Sequence, residues 1–239
     1  MKTIILAGGL GTRLSEETRE KPKPMVLLGE RPILWHIMSI YAAQGFSDFV
    51  IAAGYKSEVI RDWVKKSELS WKVEVINTGQ DTQTGGRIKK CIEIFNDKEF
   101  FATYGDGLAN VNLQKLIACH KSSNSLATLT AVRPPARFGA LKIKKNTVER
   151  FGEKVQSDSG WINGGFFLLN RKITQYISDD QEPLETGALP RLVEKGKLMA
   201  LKHFGFWQPM DTLREKMDLE ANVKEGKYPW LELPIALDR

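Results

Sequence analysis

Short apolar runs and longer amphipathic segments alternate along the first half of the chain, and their order predicts an α/β fold. β-branched and aromatic runs predict strands at residues 3–5, 48–53, 71–76, 99–104 and 126–132. Helical spacing and helix-ending residues predict helices at residues 32–45, 57–67, 86–95 and 111–122. This β-α-β order predicts a mostly parallel sheet with right-handed crossovers. Ser57 is the predicted N-cap of its helix.

The second half of the chain has a less regular pattern. It predicts an antiparallel pair, a strand interrupted by Gly164 and Gly165, a helix, a last core strand and a final helix, over residues 140–151, 161–170, 189–195, 198–206 and 213–224. The remaining residues, 228–239, contain two prolines and predict a surface tail or a subunit contact.

The first predicted strand runs directly into the glycine-rich loop Gly8-Gly9-Leu10-Gly11. Three glycines in four positions let the backbone approach another group closely or adopt a positive φ. The bare amides of such a loop bind anions, and the guanidinium of Arg13 matches phosphate oxygens two at a time. The loop lacks the lysine of a P-loop and the third glycine of a dinucleotide fingerprint. A tight turn without a ligand is the alternative interpretation.

A second cationic segment, Lys21-Pro22-Lys23-Pro24-Met25, follows the glycine-rich loop. Its prolines hold the backbone extended, and its lysines carry positive charge. An extended cationic strip beside a glycine-rich loop suits a triphosphate or a pyrophosphate. Taken alone, the strip would be interpreted as a solvated basic turn.

Two aspartates are candidate metal ligands. Asp106 lies between two glycines at the end of a hydrophobic strand, where parallel sheets place ligand groups. A carboxylate at a buried strand end needs a cation, and Mg²⁺ binds one or two carboxylates together with phosphate oxygens. Asp211 directly precedes the last predicted helix, for which an N-cap role is the structural alternative.

Composition narrows the class of protein without naming its function. The chain has 239 residues, 42% of them hydrophobic and 27% charged, and its net charge is +6. The basic residues are scattered, so a phosphorylated small substrate explains the charge at least as well as nucleic acid does. Cys91 and Cys119 predict buried free thiols in a reducing cytosol. Without a long apolar run or a signal peptide, we expect a cytoplasmic protein that contacts neither membrane nor nucleic acid.

The segments Gly8 to Leu14 and Lys21 to Met25 together resemble the signature of the sugar-1-phosphate nucleotidylyltransferases. Later stretches resemble the glucose-1-phosphate cytidylyltransferase branch, and the resemblance covers residues 1–230. It implies a three-layer αβα fold, Rossmann-like and GT-A-like, with a mixed, mostly parallel central sheet. We expect one domain over residues 1–239: a nucleotide-binding part at about 1–125, a sugar-phosphate-binding part at about 126–211, and a C-terminal helix and tail at 212–239.

The resemblance also implies a set of site residues. Those expected to bind the nucleotide are Leu6, Ala7, Gly8, Gly9, Gly11, Thr12, Arg13, Lys23, Thr82, Gly85, Gly86, Arg87, Gly105 and Asp106. Those expected to bind the sugar phosphate are Gly139, Glu153, Lys154, Asn163 and Gly164. The expected catalytic residues are Arg13, Lys23, Asp106 and Asp211, and the two aspartates are the expected Mg²⁺ ligands. Glu185 corresponds roughly to an acidic position that faces the sugar in relatives.

The candidate residues contain no nucleophile-base-acid triad. Cations, glycines and two carboxylates suit direct transfer, in which positioning and charge neutralisation supply nearly all the catalysis. The implied reaction is Mg²⁺-dependent, in-line attack of a sugar-1-phosphate, glucose-1-phosphate above all, on CTP. Its products are CDP-sugar, for surface-polysaccharide or deoxysugar biosynthesis, and pyrophosphate. The resemblance implies a homo-oligomer.

The sequence departs from the glucose-1-phosphate cytidylyltransferase branch in several places, and these departures leave alternative functions open. The segment between Val59 and Val73 is shorter than in relatives, where it helps to build subunit contacts. That difference leaves the oligomeric state open and keeps a different phosphorylated acceptor as an alternative. Asp81 and Gln83 depart from the expected nucleotide loop, which leaves UTP or dTTP as alternatives to CTP. A non-catalytic nucleotide-sugar-binding protein on the same fold is a further alternative. The presence of both candidate metal carboxylates argues against it, because a sensor does not need them.

Overall fold

The structure is a computed structural model that describes residues 1–134, 140–144, 147–152 and 160–233. Its strands are β1 (Thr3–Ala7), β2 (Leu27–Leu28), β3 (Arg31–Pro32), β4 (Asp48–Ala53), β5 (Lys72–Asn77), β6 (Glu99–Tyr104), β7 (Gly107–Ala109), β8 (Ala127–Val132), β9 (Ala140–Lys144), β10 (Thr147–Gly152), β11 (Ile162–Asn163), β12 (Phe167–Asn170), β13 (Leu198–Lys202) and β14 (Trp207–Pro209). Its α-helices are α1 (Ser15–Thr18), α2 (Ile33–Ala42), α3 (Ser57–Lys66), α4 (Thr84–Cys91), α5 (Leu113–Lys121), α6 (Ala188–Glu194) and α7 (Leu213–Lys224). Short 3-10 helices lie at Thr12–Leu14, Lys23–Met25, Ile92–Ile94 and Arg171–Tyr176.

The central sheet is mixed, and the first half of the chain supplies its parallel part. Strands β6, β1, β4 and β5 are parallel neighbours in that order. Strand β12 pairs antiparallel with β6, and β8 pairs antiparallel with β12. Strands β11 and β13 both pair with β8. The β-α-β order and the mostly parallel sheet predicted from the pattern are confirmed.

Helices cover both faces of this sheet, because consecutive side chains of a buried strand point to opposite sides. Along β1, Ile5 and Ala7 pack into one core with residues of α2, α3, α5 and α7. Ile4 and Leu6 pack into a second core with residues of α4 and α6. The fold therefore has the predicted three layers of helix, sheet and helix.

The strand predicted over residues 161–170 is interrupted, as its two glycines suggested. Strands β11 and β12 both pair with β8, but the run from Asn163 to Leu168 is two residues longer than the run of β8 that it faces. The extra residues form a bulge in which Gly165 and Phe166 have φ values of 77° and 46°. The bulge changes the direction of the backbone between β11 and β12, next to Gly164.

Several predicted element boundaries, the predicted cap at Ser57 and the alternative cap at Asp211 are wrong. The strand predicted over 198–206 ends at Lys202 as β13, and β14 begins only at Trp207, in a different sheet. Lys56, in a left-handed conformation, is the N-cap of α3, whereas Ser57 is its first helical residue. Thr212, not Asp211, caps α7, and Glu215 completes a capping box.

Of the segment predicted as a surface tail or a subunit contact, the described part, residues 228–233, is anchored to the core and does not form a free tail. The ring of Trp230 is 1% exposed and meets the ring of His36 edge-on, with 5.3 Å between centroids. Tyr228 stacks on the same imidazole, and Asn110 Nδ2 donates a hydrogen bond of 2.6 Å to the carbonyl of Glu232. This segment therefore closes the core beside α2. Residues 234–239 lie outside the described ranges.

The two cysteines differ in burial. Cys91 is a buried free thiol, as predicted, but Cys119 is only partly buried, so the prediction is wrong for the second thiol. Within the described ranges, no helix combines the length and the apolar character needed to cross a bilayer.

All three histidines of the chain are buried, which predicts a pH-dependent stability. Burial is the main cause that lowers the pKa of His36, His120 and His203 below their ordinary value. The unfolded chain therefore binds more protons than the folded protein at pH values below about 6.5. We expect the free energy of unfolding to be level above that pH and to fall as the pH drops below it.

Chemical denaturation at a series of pH values between 5.5 and 7.5 measures this dependence. Replacing one histidine, as in His203→Gln, is expected to remove up to about 1.4 kcal/mol per pH unit from the slope. If none of the three single replacements changes the slope of the free energy of unfolding against pH, the histidines are not its cause.

Candidate active site

A cavity of about 620 Å³ opens at the carboxyl ends of β1 and β6. This is the edge at which open parallel sheets bind ligands. Its walls come from the glycine-rich loop, the Lys-Pro strip, the loop before α4 and the end of β6: Leu6, Ala7, Gly8, Gly9, Leu10, Gly11, Thr12, Arg13, Lys23, Pro24, Gln80, Asp81, Thr82, Gln83, Thr84, Arg87, Tyr104, Gly105, Asp106 and Gln181. Segments far apart in the sequence thus share one pocket.

The four residues predicted to be catalytic lie together at this pocket. Lys23 Nζ lies 2.7 Å from Asp106 Oδ2 and 2.5 Å from Asp211 Oδ1. Arg13 Nη1 lies 2.6 Å from Asp211 Oδ2. The side chain of Lys23 is 10% exposed, those of Asp106 and Asp211 are 30% and 14% exposed, and Arg13 is 70% exposed. A mostly buried ammonium therefore compensates two carboxylates, while Arg13 reaches in from solvent.

Backbone pairing brings both aspartates next to the ammonium of Lys23. The amide of Gly105 bonds to the carbonyl of Leu6, which fixes the end of β6 beside the start of the glycine-rich loop. Strand β14 pairs with β7, and the amide of Met210 bonds to the carbonyl of Asp106 at 2.8 Å. Because Thr212 provides the cap of α7, the Asp211 carboxylate is available to the two cations.

The three glycines of the first loop serve different purposes. A Cβ atom on Gly8 would overlap the guanidinium of Arg87, so this glycine makes room for a protein side chain. Gly11 has a φ of 67°, which favours glycine. A Cβ atom on Gly9 would meet nothing within 4 Å. Gly8 thus fits the expected close approach, here to the Arg87 side chain, and Gly11 fits the expected positive φ.

Arg87 is 4% exposed and connects the glycine-rich loop to the loop before α4. Its guanidinium donates to the carbonyls of Gly8, Ala53, Gly79 and Gln80 and to the hydroxyl of Thr78, at distances of 2.5–3.2 Å. Burial lowers the pKa of Arg87 from its ordinary value. Although this residue lines the cavity, most of its hydrogen-bonding capacity is used to hold the two loops together.

Other predicted nucleotide contacts also face protein atoms. The hydroxyl of Thr82 donates to the carbonyl of Thr78 at 2.6 Å and accepts from Lys90 Nζ at 3.0 Å. Gly85 and Gly86 pack against the backbone of residues 180–182, where Cβ atoms would come within 2.6 Å of carbonyl oxygens. These two glycines are outside the cavity lining, because that backbone occupies the space beside them.

On the side predicted for the sugar, the structure describes Asn163 and Gly164 but not Gly139, Glu153 or Lys154. The carbonyl of Gly164 accepts from Trp207 Nε1 at 2.9 Å. The side chain of Asn163 donates through Nδ2 to the Tyr104 hydroxyl at 2.9 Å. Its Oδ1 accepts from the amide of Gly165 at 3.0 Å.

Near Asn163, two hydroxyl groups donate hydrogen bonds to Glu185, and the pattern along the chain did not indicate these contacts. The Tyr104 hydroxyl donates to Glu185 Oε1 at 2.6 Å, and the Thr84 hydroxyl donates to Glu185 Oε2 at 2.7 Å. The resemblance places Glu185 only approximately, and it does not single out Tyr104 or Thr84. A tyrosine at the end of a buried strand is too common to stand out in the sequence.

The sequence decides the family. Residues 2–223 match the protein family described as "Nucleotidyl transferase". The chain belongs to the nucleotidyl transferase family. It is 46% identical over 253 residues to "Glucose-1-phosphate cytidylyltransferase" of Salmonella typhimurium, covering 96% of this chain and 98% of that protein. The predicted resemblance to sugar-1-phosphate nucleotidylyltransferases is confirmed.

Solved structures agree with this assignment. HddC from Yersinia pseudotuberculosis is 27% identical, with a TM-score of 0.74 over 93% of this chain and 99% of that chain. A second structure of HddC, complexed with GMP-PN, is 26% identical, with the same TM-score and coverage. The Rossmann-like nucleotidyltransferase fold expected from the sequence is therefore confirmed.

In this nucleotidyl transferase, the donor set suits a hard divalent ion. Asp106 Oδ2 and Asp211 Oδ1 both contact the one Nζ atom of Lys23, so the two carboxylates converge. Among the described residues, no group of three or more His, Cys, Asp or Glu side chains is arranged to hold a metal. Two carboxylates are the number that Mg²⁺ takes when substrate phosphates complete its coordination.

The fit between Gly8 and Arg87 predicts that Gly8→Ala destabilises this transferase. The added methyl group displaces the Arg87 guanidinium and disturbs both loops, at a cost of about 1–3 kcal/mol. Gly9→Ala is the matched control, because its methyl group enters open space and should change stability by less than about 0.5 kcal/mol. Thermal and chemical unfolding of the two variants measure the difference. Equal losses at both positions would show that Arg87 does not impose the requirement for glycine.

Proposed function

We propose that this protein transfers a cytidylyl group from CTP to a sugar-1-phosphate, with glucose-1-phosphate as the preferred acceptor. The observation that carries the proposal is the mostly buried Lys23 ammonium between Asp106 and Asp211, beside a glycine-rich pocket. The 46% identity to a protein named glucose-1-phosphate cytidylyltransferase supports the choice of CTP and glucose. The proposal includes a cytoplasmic homo-oligomer active in surface-polysaccharide or deoxysugar biosynthesis, as the resemblance implies.

In the proposed reaction, an oxygen of the sugar phosphate attacks the α-phosphorus of CTP. The bond between the α- and β-phosphates breaks, and the products are CDP-glucose and pyrophosphate. Arg13, at the exposed edge of the pocket, neutralises charge on the leaving pyrophosphate. Lys23, a mostly buried residue of the cavity lining, neutralises charge at the α-phosphate. The amides of Gly9, Gly11 and Thr12 line the space for the other phosphate oxygens.

Asp106 and Asp211 are the proposed Mg²⁺ ligands. When bound, this ion supplies charge neutralisation on the phosphates that positions them for attack. Lys154 and Glu153 remain proposed sugar-phosphate contacts outside the described residues. Asn163 is the described candidate for the sugar hydroxyls, because its carboxamide lies beside Tyr104, which lines the cavity.

A pyrophosphate-release screen tests the proposal. We expect the purified full-length protein to release pyrophosphate from CTP with glucose-1-phosphate in the presence of Mg²⁺, and at least tenfold less with UTP, dTTP or GTP. Preference for another triphosphate or another sugar phosphate would overturn the assignment of base or acceptor. Tight binding of CDP-glucose by calorimetry, with no pyrophosphate release from any combination, would support a non-catalytic binding protein.

Lys23→Ala tests the role given to the central ammonium. Because Lys23 is proposed to stabilise charge that develops during transfer, we expect kcat to fall by about 10²–10³ with a smaller change in KM for CTP. Lys21→Ala is the matched control, since it removes an ammonium from the same strip and should retain most activity. A change in KM alone would remove Lys23 from the chemistry. The stability of the Lys23→Ala variant is measured by unfolding with and without Mg²⁺. This measurement separates a loss of catalysis from a loss of stability caused by the broken ion pairs.

A further inference from the structure

The hydroxyl of Tyr104 links the cavity, which the proposed function gives to the nucleotide, to Asn163, which it gives to the sugar. Tyr104 is the last residue of β6, two positions before Asp106, and it lines the cavity. Its hydroxyl contacts Glu185 Oε1 at 2.6 Å and Asn163 Nδ2 at 2.9 Å. Glu185 belongs to the segment before α6, and Asn163 ends β11.

The chemistry of these groups fixes the direction of each hydrogen bond. An ionised carboxylate only accepts, so the proton of the Tyr104 hydroxyl points to Glu185. The hydroxyl oxygen then accepts, and Asn163 must present its Nδ2 rather than its Oδ1. The Oδ1 of Asn163 accepts from the amide of Gly165 at 3.0 Å. The carboxamide is thus held at both ends in one orientation.

Glu185 also accepts a hydrogen bond from Thr84, at the start of α4. The Thr84 hydroxyl donates to Glu185 Oε2 at 2.7 Å and accepts from the amide of Leu184 at 2.8 Å. Thr84 is the first residue of α4 and lines the cavity. A phenol is a hydrogen-bond donor at neutral pH, as the contact with Glu185 requires. The polar chain runs without a break from Thr84 through Glu185 and Tyr104 to Asn163.

We propose that Tyr104, directed by Glu185, is a positioning residue for the acceptor, acting through the orientation that it imposes on Asn163. In this orientation Asn163 retains one N–H donor and one lone pair of Oδ1 for a ligand. A sugar hydroxyl, which both donates and accepts, complements that pair. The chemical class of the acceptor is therefore a neutral, hydroxylated sugar ring. The inference rests on the proposed transfer to a sugar-1-phosphate and adds Tyr104, which the resemblance does not single out.

Tyr104→Phe removes the hydroxyl and keeps the ring. Without its anchor, the Asn163 carboxamide can rotate, and a hydrogen bond of this kind corresponds to about a tenfold change in an equilibrium constant. We expect kcat/KM for glucose-1-phosphate to fall by about tenfold through KM, with KM for CTP changed by less than about twofold. Tyr176→Phe is the matched control, because Tyr176 packs against the second core and is outside the cavity lining.

A double-mutant cycle with Asn163→Ala separates positioning from a general structural role. If Tyr104 acts through Asn163, Tyr104→Phe will cause no further loss of acceptor affinity in the Asn163→Ala background. Independent, multiplying losses would overturn the proposal, as would full activity of Tyr104→Phe. Glu185→Ala provides the same test should Tyr104→Phe unfold, since it removes the acceptor that directs the hydroxyl.

The wild-type screen keeps this inference distinct from the proposed function. A wild-type protein that transfers no nucleotidyl group to any sugar phosphate contradicts the proposed function itself. A wild-type protein that is active with glucose-1-phosphate, together with a Tyr104→Phe variant of unchanged KM, contradicts only the positioning role. Thermal unfolding of each variant accompanies the kinetics, so that a loss of folded protein is not counted as a loss of affinity.

Discussion

The ion bridge from Lys23 to Asp106 and Asp211 is the constraint on which the rest of the site depends. Two carboxylates that share one neighbour repel each other, and partial burial strengthens that repulsion. A cation between them is therefore required for the ends of β6 and β14 to meet. The Lys-Pro strip supplies it, because its short 3-10 turn places Lys23 in the cavity lining. Charge compensation thus ties three distant segments of the chain into one structure.

Two kinds of polar group surround this bridge: exposed charged groups and buried groups that bond to the protein itself. Arg13 and the tip of the glycine-rich loop at Gly9 are exposed, which suits groups that must meet charged phosphates. Arg87 is buried, and its charge is distributed over five neutral oxygens that belong to two loops and the end of β4. The Tyr104 network on the third side is uncharged except for Glu185. The exposed charge of Arg13 therefore lies at the cavity, whereas the supporting contacts are short, directional and protected from water.

Much of the fold could be predicted because strand and helix patterns are local. The bounds predicted for β4 match the structure at both ends, since a run of buried apolar side chains bounded by polar residues strongly favours a strand. Helix caps were less predictable, because Asp211 and Thr212 are both good cap residues and only the bond to Glu215 decides between them. The contact between Tyr104 and Glu185 could not be predicted, since 81 residues separate partners with no distinctive local pattern.

The cage of carbonyls around Arg87 has a consequence for engineering. A designer who wants a different base preference would naturally transplant the whole loop before α4 from a relative. Such a graft would exchange acceptors that also secure Gly8, and so would disturb the phosphate end of the pocket as well. The exposed tip at Asp81 and Gln83 faces the cavity without taking part in the cage. Substitutions at the tip can therefore change the cavity wall while the contacts of Arg87 are left intact.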